Sequence, residues 1–162
     1  MADSGVEVEV SFVGTGDSLD DYKRLSWDLG VVDQIKFLGY IPREKISKYY
    51  IEADVFVLPS FNEGMSLAML EAMASGLPLI VTQTGGTDSL VQEGLNGFTF
   101  TWGDVEQLTV HLKKLLEDRS LLRQMGLESR RRTEQFTWKG VARQYQDLFT
   151  NISNNLRTEI ID

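Results

Sequence analysis

Apolar and polar positions alternate in blocks from the start of the chain to Phe100. Short runs rich in β-branched and aromatic residues predict five strands, at Val6–Val13, Gln34–Leu38, Val55–Leu58, Pro78–Thr82 and Gly97–Phe100. The segments between them have helical spacing, which predicts helices at Leu19–Leu29, Arg43–Ala53, Ser66–Ser75 and Thr87–Glu93. Because parallel strands need crossover connections, this alternation predicts an α/β fold, a Rossmann-like three-layer domain with a parallel sheet of about five strands.

After Phe100 the pattern becomes helical only. It predicts C-terminal helices at Asp104–Asp118, Ser120–Gln135 and Trp138–Ile152. Trp138, at the start of the last helix, is predicted to anchor the core. Residues 153–162 are polar and lack a period, which predicts a disordered tail after a single domain at residues 1–152.

Composition narrows the class of partner. The 162 residues carry 16 Lys plus Arg against 24 Asp plus Glu, a net charge of −8, so a nucleic acid or an anionic membrane would be repelled. The chain has no Cys and one His, which excludes disulfides, thiolate nucleophiles and zinc–thiolate sites. No apolar run approaches the roughly 20 residues that a membrane-spanning helix needs, and the start of the chain shows no signal-peptide pattern. These features predict a soluble intracellular domain without a nucleic-acid partner.

The loops that follow the predicted strands are the places to look for a ligand, since ligands of open parallel sheets bind beyond the carboxyl ends of the strands. Gly14 and Gly16 follow the first strand, where glycine lets the backbone approach a ligand or simply forms a turn. The dinucleotide fingerprint fails because position 19 is Leu and no acidic residue ends the second strand at Leu38. No Gly-Lys-Ser/Thr sequence is present, which excludes a P-loop.

Two carboxylates form the most informative pattern. Glu63 stands at the expected start of a helix and Glu71 lies inside it, about 12 Å further along the axis and about 80° around it. That spacing suits an elongated ligand such as a nucleotide-sugar, with Glu71 on the ribose hydroxyls and Glu63 on the sugar hydroxyls. The N–H groups of Gly64, Met65 and Ser66 would face the diphosphate or the sugar.

Structural interpretations of the same residues remain open. Glu63 could be a carboxylate that stabilises the first turn of the helix, and Glu71 could be a solvated side chain. Glu71 lies among apolar residues, where an unpaired charge is costly, and this favours a ligand role.

The run from Glu63-Gly64 to Glu71-Ala-Met-Ala-Ser-Gly-Leu-Pro resembles the Glu-x7-Glu signature of retaining GT-B-type glycosyltransferases of the group 1 family. Flanking motifs occur in the order that the family shows, and the resemblance covers about residues 6 to 150. These motifs are Phe12-Val13-Gly14-Thr15-Gly16, Ile35-Lys36-Phe37-Leu38-Gly39-Tyr40, Ala53-Asp54-Val55-Phe56-Val57-Leu58-Pro59-Ser60, Gly85-Gly86, Gly94-Leu95-Asn96-Gly97 and Phe136-Thr137-Trp138.

The resemblance implies the C-terminal, donor-nucleotide domain of such an enzyme. It places Glu63 near the transferring carbon of the donor sugar, as the catalytic candidate, and Glu71 on the ribose. The backbone of Tyr40 and Ile41 would lie by the base, and Gly14-Thr15-Gly16 would lie close to the nucleotide. The implied reaction transfers a sugar from a UDP- or GDP-linked donor to an acceptor hydroxyl with retained configuration, in glycan, polysaccharide or glycolipid synthesis.

The implied enzyme needs no cofactor or metal, because helix N-termini and basic side chains would meet the leaving-group charge. Its partners are the donor and an N-terminal acceptor domain. It would be cytoplasmic, with peripheral membrane contact through that acceptor domain as a further option.

This sequence departs from the family pattern in three ways. The family's diphosphate-binding Arg and Lys precede the Phe-Val-Gly strand and are not present here, and neither is the acceptor domain. Thr87-Asp88 replaces the usual Pro-Glu. We therefore expect little or no turnover from this polypeptide alone. One alternative is a non-catalytic nucleotide-sensing or protein-interaction module on the same fold; another is a sugar-nucleotide epimerase or a glycogen-synthase-like member.

Overall fold

The computed structural model describes the backbone of residues 8–159 and the side chains of residues 8–152. These residues form two compact units, which meet in the sequence between Ala53 and Asp54 and are described separately. The first unit contains two strands and two helices: β1 (Val10–Val13), α1 (Leu19–Asp28), β2 (Ile35–Gly39) and α2 (Arg43–Glu52). A single 3₁₀ turn, Val32–Gln34, precedes β2.

The second unit contains the remaining strands and helices. They are β3 (Phe56–Leu58), α3 (Leu67–Ala74), β4 (Leu79–Thr82), β5 (Gly97–Phe100), α4 (Val105–Glu117), α5 (Arg119–Thr133) and α6 (Trp138–Glu159). A 3₁₀ turn, Glu134–Phe136, joins α5 to the segment before α6. Asp118 accepts hydrogen bonds from the backbone N–H groups of Ser120 and Leu121, which fixes the start of α5.

All strand pairs are parallel, which confirms the predicted α/β class. The grouping of strands differs from the prediction of one sheet of about five strands. Among the described residues, β1 pairs with β2 in a two-stranded sheet, and β3, β4 and β5 form a three-stranded sheet in that order. Among the described strands, β4 alone has a hydrogen-bonded neighbour on each side.

The core of the second unit is built around the central strand β4. Leu79, Ile80 and Val81 have no exposed surface and Thr82 is 1% exposed, so both faces of the strand are covered. A cluster of apolar side chains from β4, β5, α4 and α5 packs on one another: Ile80, Phe98, Phe100, Leu115, Leu122 and Met125. This rigid centre carries the loops that follow β3 and β4.

The predicted helix at Thr87–Glu93 is wrong. Residues 85–90 form turns, and only the N–H groups of Leu90 and Val91 return to the carbonyl of Thr87. The next N–H group, that of Gln92, instead donates to the side-chain oxygen of Asn96, whose amide donates to the carbonyl of Leu90. The buried Asn96 therefore diverts the backbone hydrogen bonds that a helix would need.

Several predicted boundaries also change. Of the predicted first strand, residues 6–7 lie outside the described residues and β1 begins at Val10. α6 extends to Glu159, so its predicted end at Ile152 is too early, while residues 160–162 lie outside the described residues. Trp138 is 85% exposed, so its prediction as a core anchor is wrong. The assignment of residues 1–152 to one nucleotide-sugar-binding domain stays a prediction.

Candidate functional site

The segment between β3 and α3, which we call the Glu63 loop (Pro59–Ser66), carries the first predicted carboxylate. The loop has no regular secondary structure, and α3 begins four residues after Glu63, at Leu67. The alternative in which Glu63 lies in the first turn of the helix is therefore wrong, and a helical spacing to Glu71 does not apply. Glu63 is half-buried, and Ser60 Oγ donates to its Oε2 at 3.2 Å.

The segment after β4, which we call the β4 loop (Gln83–Thr87), packs against the Glu63 loop. Thr84 Oγ1 donates to the backbone carbonyl of Glu63 at 3.0 Å. A Cβ placed on Gly86 would lie 2.0 Å from the carbonyl oxygen of Gly64, so only glycine fits this approach without a shift of backbone. The carboxyl ends of β3 and β4 therefore hold two loops in direct contact.

The start of α3 places further predicted residues beside Glu63. Gly64 and Met65 are exposed, whereas Ser66, the residue that precedes the helix, is 7% exposed. Ser66 makes no capping hydrogen bond through its side chain in the described structure. Helix-start N–H groups without a side-chain cap can donate hydrogen bonds to an anionic or polar ligand. Glu71 lies in the interior of α3 and is half-buried.

The predicted nucleotide residues of the first unit lie at the carboxyl end of its own sheet. The N–H group of Gly14 donates to the carbonyl of Gly39 at 2.8 Å, which joins the ends of β1 and β2. The carbonyl of Gly16 accepts from Leu19 N–H, at the start of α1. Tyr40 is 74% exposed, and Ile41 is half-buried. Gly14 and Gly39 both have positive φ, as turns at strand ends require.

The sequence segment that carries the Glu63 loop and the β4 loop contains no positively charged side chain. The sequence from Asp54 to Asp104 contains no Lys, Arg or His, whereas it contains several carboxylates, Glu63 and Glu71 among them. Within this segment, a phosphate could be held only by N–H groups and hydroxyls. No cluster of three or more His, Cys, Asp or Glu side chains suited to a metal is found in the described part of the chain.

The resolved pKa shifts lie away from these loops, on α5. A hydrogen bond from Arg131 lowers the pKa of Glu128, and the same bond raises the pKa of Arg131. The Arg131 Nε to Glu128 Oε2 distance is 2.7 Å. This pair lies near the C-terminal end of α5, where Arg130, Arg131 and Arg132 follow one another, and is not part of either loop.

Sequence reasoning missed the hydroxyl side chains that hold the site. Thr82 and Thr87 are each 1% exposed, and both donate to backbone carbonyls of the loops. The available signal was the run Thr82-Gln83-Thr84-Gly85-Gly86-Thr87, where hydroxyls and glycines directly follow a fully apolar strand. Asp88, whose role the sequence left open, is exposed.

Comparison with known proteins decides the family. The family model described as "Glycosyl transferases group 1" matches residues 2–132. The chain belongs to the group 1 glycosyl transferases. This confirms the resemblance carried by the Glu-x7-Glu pattern.

Two curated relatives of this group 1 chain match most of its length. Sulfoquinovosyl transferase SQD2 of Arabidopsis thaliana is 36% identical over 136 residues, which cover 82% of this chain and 26% of SQD2. D-inositol 3-phosphate glycosyltransferase of Corynebacterium diphtheriae is 30% identical over 136 residues, which cover 84% of this chain and 32% of the relative. The group 1 chain thus spans about a quarter to a third of the length of these relatives.

A solved structure shares the fold of this group 1 chain. Anabaena HepE, in a crystal structure with UDP and glucose, aligns with a TM-score of 0.80 at 22% identity, covering 89% of this chain and 41% of HepE. The likeness supports the GT-B-type, Rossmann-like class. None of the described helices is long and apolar enough to span a membrane.

Proposed function

We propose that this chain is the donor-binding part of a retaining glycosyltransferase that transfers a sugar from a nucleotide-diphosphate sugar to an acceptor hydroxyl. The observation that carries the proposal is the placement of Glu63: a half-buried carboxylate on a loop at the carboxyl end of the sheet, held by Ser60 and followed by an uncapped helix start. Family membership supplies the reaction class, and the relatives SQD2 and the inositol-phosphate enzyme are named as transferases of sugars.

Glu63 is proposed as the residue at the sugar end of the donor. An ionised carboxylate accepts two hydrogen bonds at the spacing of neighbouring hydroxyls, and it can also stabilise positive charge that develops at the transferring carbon. The N–H groups of Gly64, Met65 and Ser66 are proposed to receive the sugar or the diphosphate. Their position next to the helix start favours negative charge.

Glu71 is proposed to hold the ribose of the nucleotide. In the first unit, the backbone of Tyr40 and Ile41 is proposed to receive the base, and Gly14 and Gly16 to lie close to the nucleotide. The exposure of Tyr40 supports this, since a ligand could reach it. HepE, a protein of the same fold, was solved with UDP and glucose, so nucleotide and sugar are the probes to try first.

The proposal includes no metal or other cofactor. The cations that neutralise the diphosphate are not in the segment Asp54–Asp104, so we propose that they come from another part of the full-length enzyme. The acceptor domain is likewise assigned to the full-length enzyme, which we place in the cytoplasm, in glycan, polysaccharide or glycolipid synthesis. The polypeptide alone is then expected to bind nucleotide weakly and to show little turnover.

Calorimetric titration of the 162-residue chain with UDP, GDP and ADP tests the proposal. We expect one of them to bind and Glu71→Ala to weaken that binding by about tenfold or more, because hydrogen bonds to charged groups contribute about 1.5–3 kcal/mol. Glu63→Gln should leave the affinity for the nucleotide close to that of the wild type and lower the affinity for the matching nucleotide-sugar. Chelation of divalent ions should leave binding unchanged.

Glu117→Gln is the matched control, since Glu117 is an exposed carboxylate on α4, outside both loops. It should bind like the wild type. Absence of binding to all three nucleotides and their sugars would contradict the proposal and favour the protein-interaction module. Full turnover by this polypeptide alone would contradict the requirement for another domain.

A further inference from the structure

We infer that the β4 loop is the positioning element for Glu63, with Thr84 as the residue that fixes the backbone from which this carboxylate reaches the donor sugar. The inference rests on the proposed function and names a residue that would control the sugar end of the site through Glu63. Four observations in the second unit support it.

The first observation is that Glu63 lies on irregular backbone. No helix or strand includes residues 59–66, so no regular ladder of backbone hydrogen bonds holds them. Thr84 Oγ1 donates to the Glu63 carbonyl at 3.0 Å, across 21 positions of sequence. A side-chain hydrogen bond from the β4 loop therefore holds the backbone of Glu63, the residue proposed to lie at the sugar end of the donor.

The second observation is that Thr84 is itself held in place. Thr87 is 1% exposed, and its Oγ1 accepts from the backbone N–H of Thr84 at 3.0 Å and donates to the carbonyl of Thr84 at 2.8 Å. One buried hydroxyl thus fixes both backbone polar groups of Thr84. A donor fixed in this way can hold the Glu63 carbonyl with little loss of its own freedom.

The third observation is the direct contact of the two backbones. A Cβ on Gly86 would lie 2.0 Å from the Gly64 carbonyl oxygen and 2.8 Å from Met65 N. The peptide that follows Glu63 therefore rests on the β4 loop. The packing of Gly86 against Gly64 and the hydrogen bond from Thr84, both from the β4 loop, restrain the backbone at Glu63.

The fourth observation concerns the carboxylate. Ser60 Oγ donates to Glu63 Oε2, and the carbonyl of Ser60 accepts in turn from the buried Thr82 Oγ1 at the end of β4. Both the carboxylate and the carbonyl of Glu63 are thereby connected to the most buried strand of the unit. Hydrogen bonds from the end of β4 and from the β4 loop therefore determine where the carboxylate of Glu63 lies.

Thr84→Val tests the inference, because Val keeps the shape of Thr and removes the donor. The probes for calorimetric titration are UDP and UDP-glucose, or GDP and GDP-mannose if the guanine nucleotide binds. The measured quantity is the ratio of the dissociation constant of the nucleotide-sugar to that of the nucleotide, and we expect Thr84→Val to raise this ratio about fivefold. Glu63→Gln should shift the same ratio in the same direction. Thr84→Ser, which retains the hydroxyl, should restore the wild-type ratio.

Thr99→Val is the matched control, since Thr99 is a half-buried, hydrogen-bonded threonine on β5 whose Oγ1 donates to Glu93. It should leave the ratio unchanged. A shift with Glu63→Gln but none with Thr84→Val would overturn the inference while the proposed function stands. A ratio that neither variant changes would overturn the role of Glu63 itself.

Hydrogen exchange gives a readout that needs no ligand. Thr84→Val should speed the exchange of amides in the Glu63 loop and leave those of β4 at their wild-type rates, whereas Thr84→Ser should not. Unchanged exchange in the Glu63 loop would overturn the inference whatever the nucleotide titrations show. Faster exchange in β4 as well would show a global loss of stability and would also count against a positioning role.

Discussion

Glycine at position 86 allows the Glu63 loop and the β4 loop to pack against each other, because it has no Cβ. A Cβ at this position would overlap the carbonyl oxygen of Gly64, which is backbone and cannot rotate away. We expect Gly86→Ala to lower the free energy of unfolding by about 1–3 kcal/mol, in the range of overpacking substitutions. Urea denaturation measures the change.

Gly85→Ala provides the comparison one residue earlier. A Cβ on Gly85 has nothing within 4 Å, so this variant should stay within about 0.5 kcal/mol of the wild type. Equal effects of the two substitutions would show that the contact with Gly64 does not exist in solution.

At the same scale, the sequence indicated candidate site residues but not the side chains that hold them in place. Glu63 was singled out by its spacing to Glu71 and by the group 1 resemblance, and Gly64 by its place at the expected helix start. Thr84 was passed over, since its partner is the carbonyl of Glu63 and that contact joins residues 21 positions apart. Local patterns carry no information about such contacts, which depend on strand order.

Helix α6 keeps much of its apolar surface exposed over residues 138–152, the part whose side chains the structure describes. Its large apolar residues face outward: Trp138 is 85% exposed, Tyr145 58%, Leu148 52% and Phe149 65%. We expect Trp138→Ala to change the free energy of unfolding by less than about 0.5 kcal/mol, whereas removal of a core tryptophan costs about 3–5 kcal/mol. Urea denaturation distinguishes the two.

Met69→Ala serves as the positive control for that experiment, because Met69 on α3 has no exposed surface. It should cost about 2–5 kcal/mol. If Trp138→Ala lowered the free energy of unfolding as much as Met69→Ala does, the exposure of Trp138 on α6 would be contradicted.

The observed strands and helices show what the periodicity of the sequence can predict at this scale. The strands β4 and β5 match their predicted positions closely, because apolar runs of that length fit a buried strand. The helix predicted at Thr87–Glu93 failed because Asn96, further along the chain, takes the N–H group of Gln92. An amphipathic stripe predicts that α6 is a helix but does not establish what covers it.

For the molecule as a whole, burial is concentrated in the second unit. All four residues of β1 in the first unit are exposed, Phe12 at 42% and Val13 at 45% among them, whereas β4 has at most 1% exposure. Amides of β1 should therefore exchange with solvent at a lower opening free energy than those of β4, because little apolar packing restrains a two-stranded sheet. Hydrogen exchange followed by mass spectrometry measures both.

Equal protection of β1 and β4 would contradict this difference and would indicate that the two sheets open together. The sequence predicted the α/β class and most strands, but it could not predict how hydrogen bonding groups them. Pairing of β1 or β3 with a neighbour depends on which backbone edges meet, and side-chain pattern does not encode that choice.

The backbone contact between Gly64 and Gly86 has a practical consequence for anyone who wishes to test the proposed donor site with mutant libraries. A Cβ on Gly86 would overlap the Gly64 carbonyl, so we expect clones with any other residue at position 86 to be destabilised, whereas a Cβ on Gly64 or Gly85 would meet no atom within 4 Å. Productive libraries would therefore keep Gly86 fixed and diversify the open positions on either side of the contact.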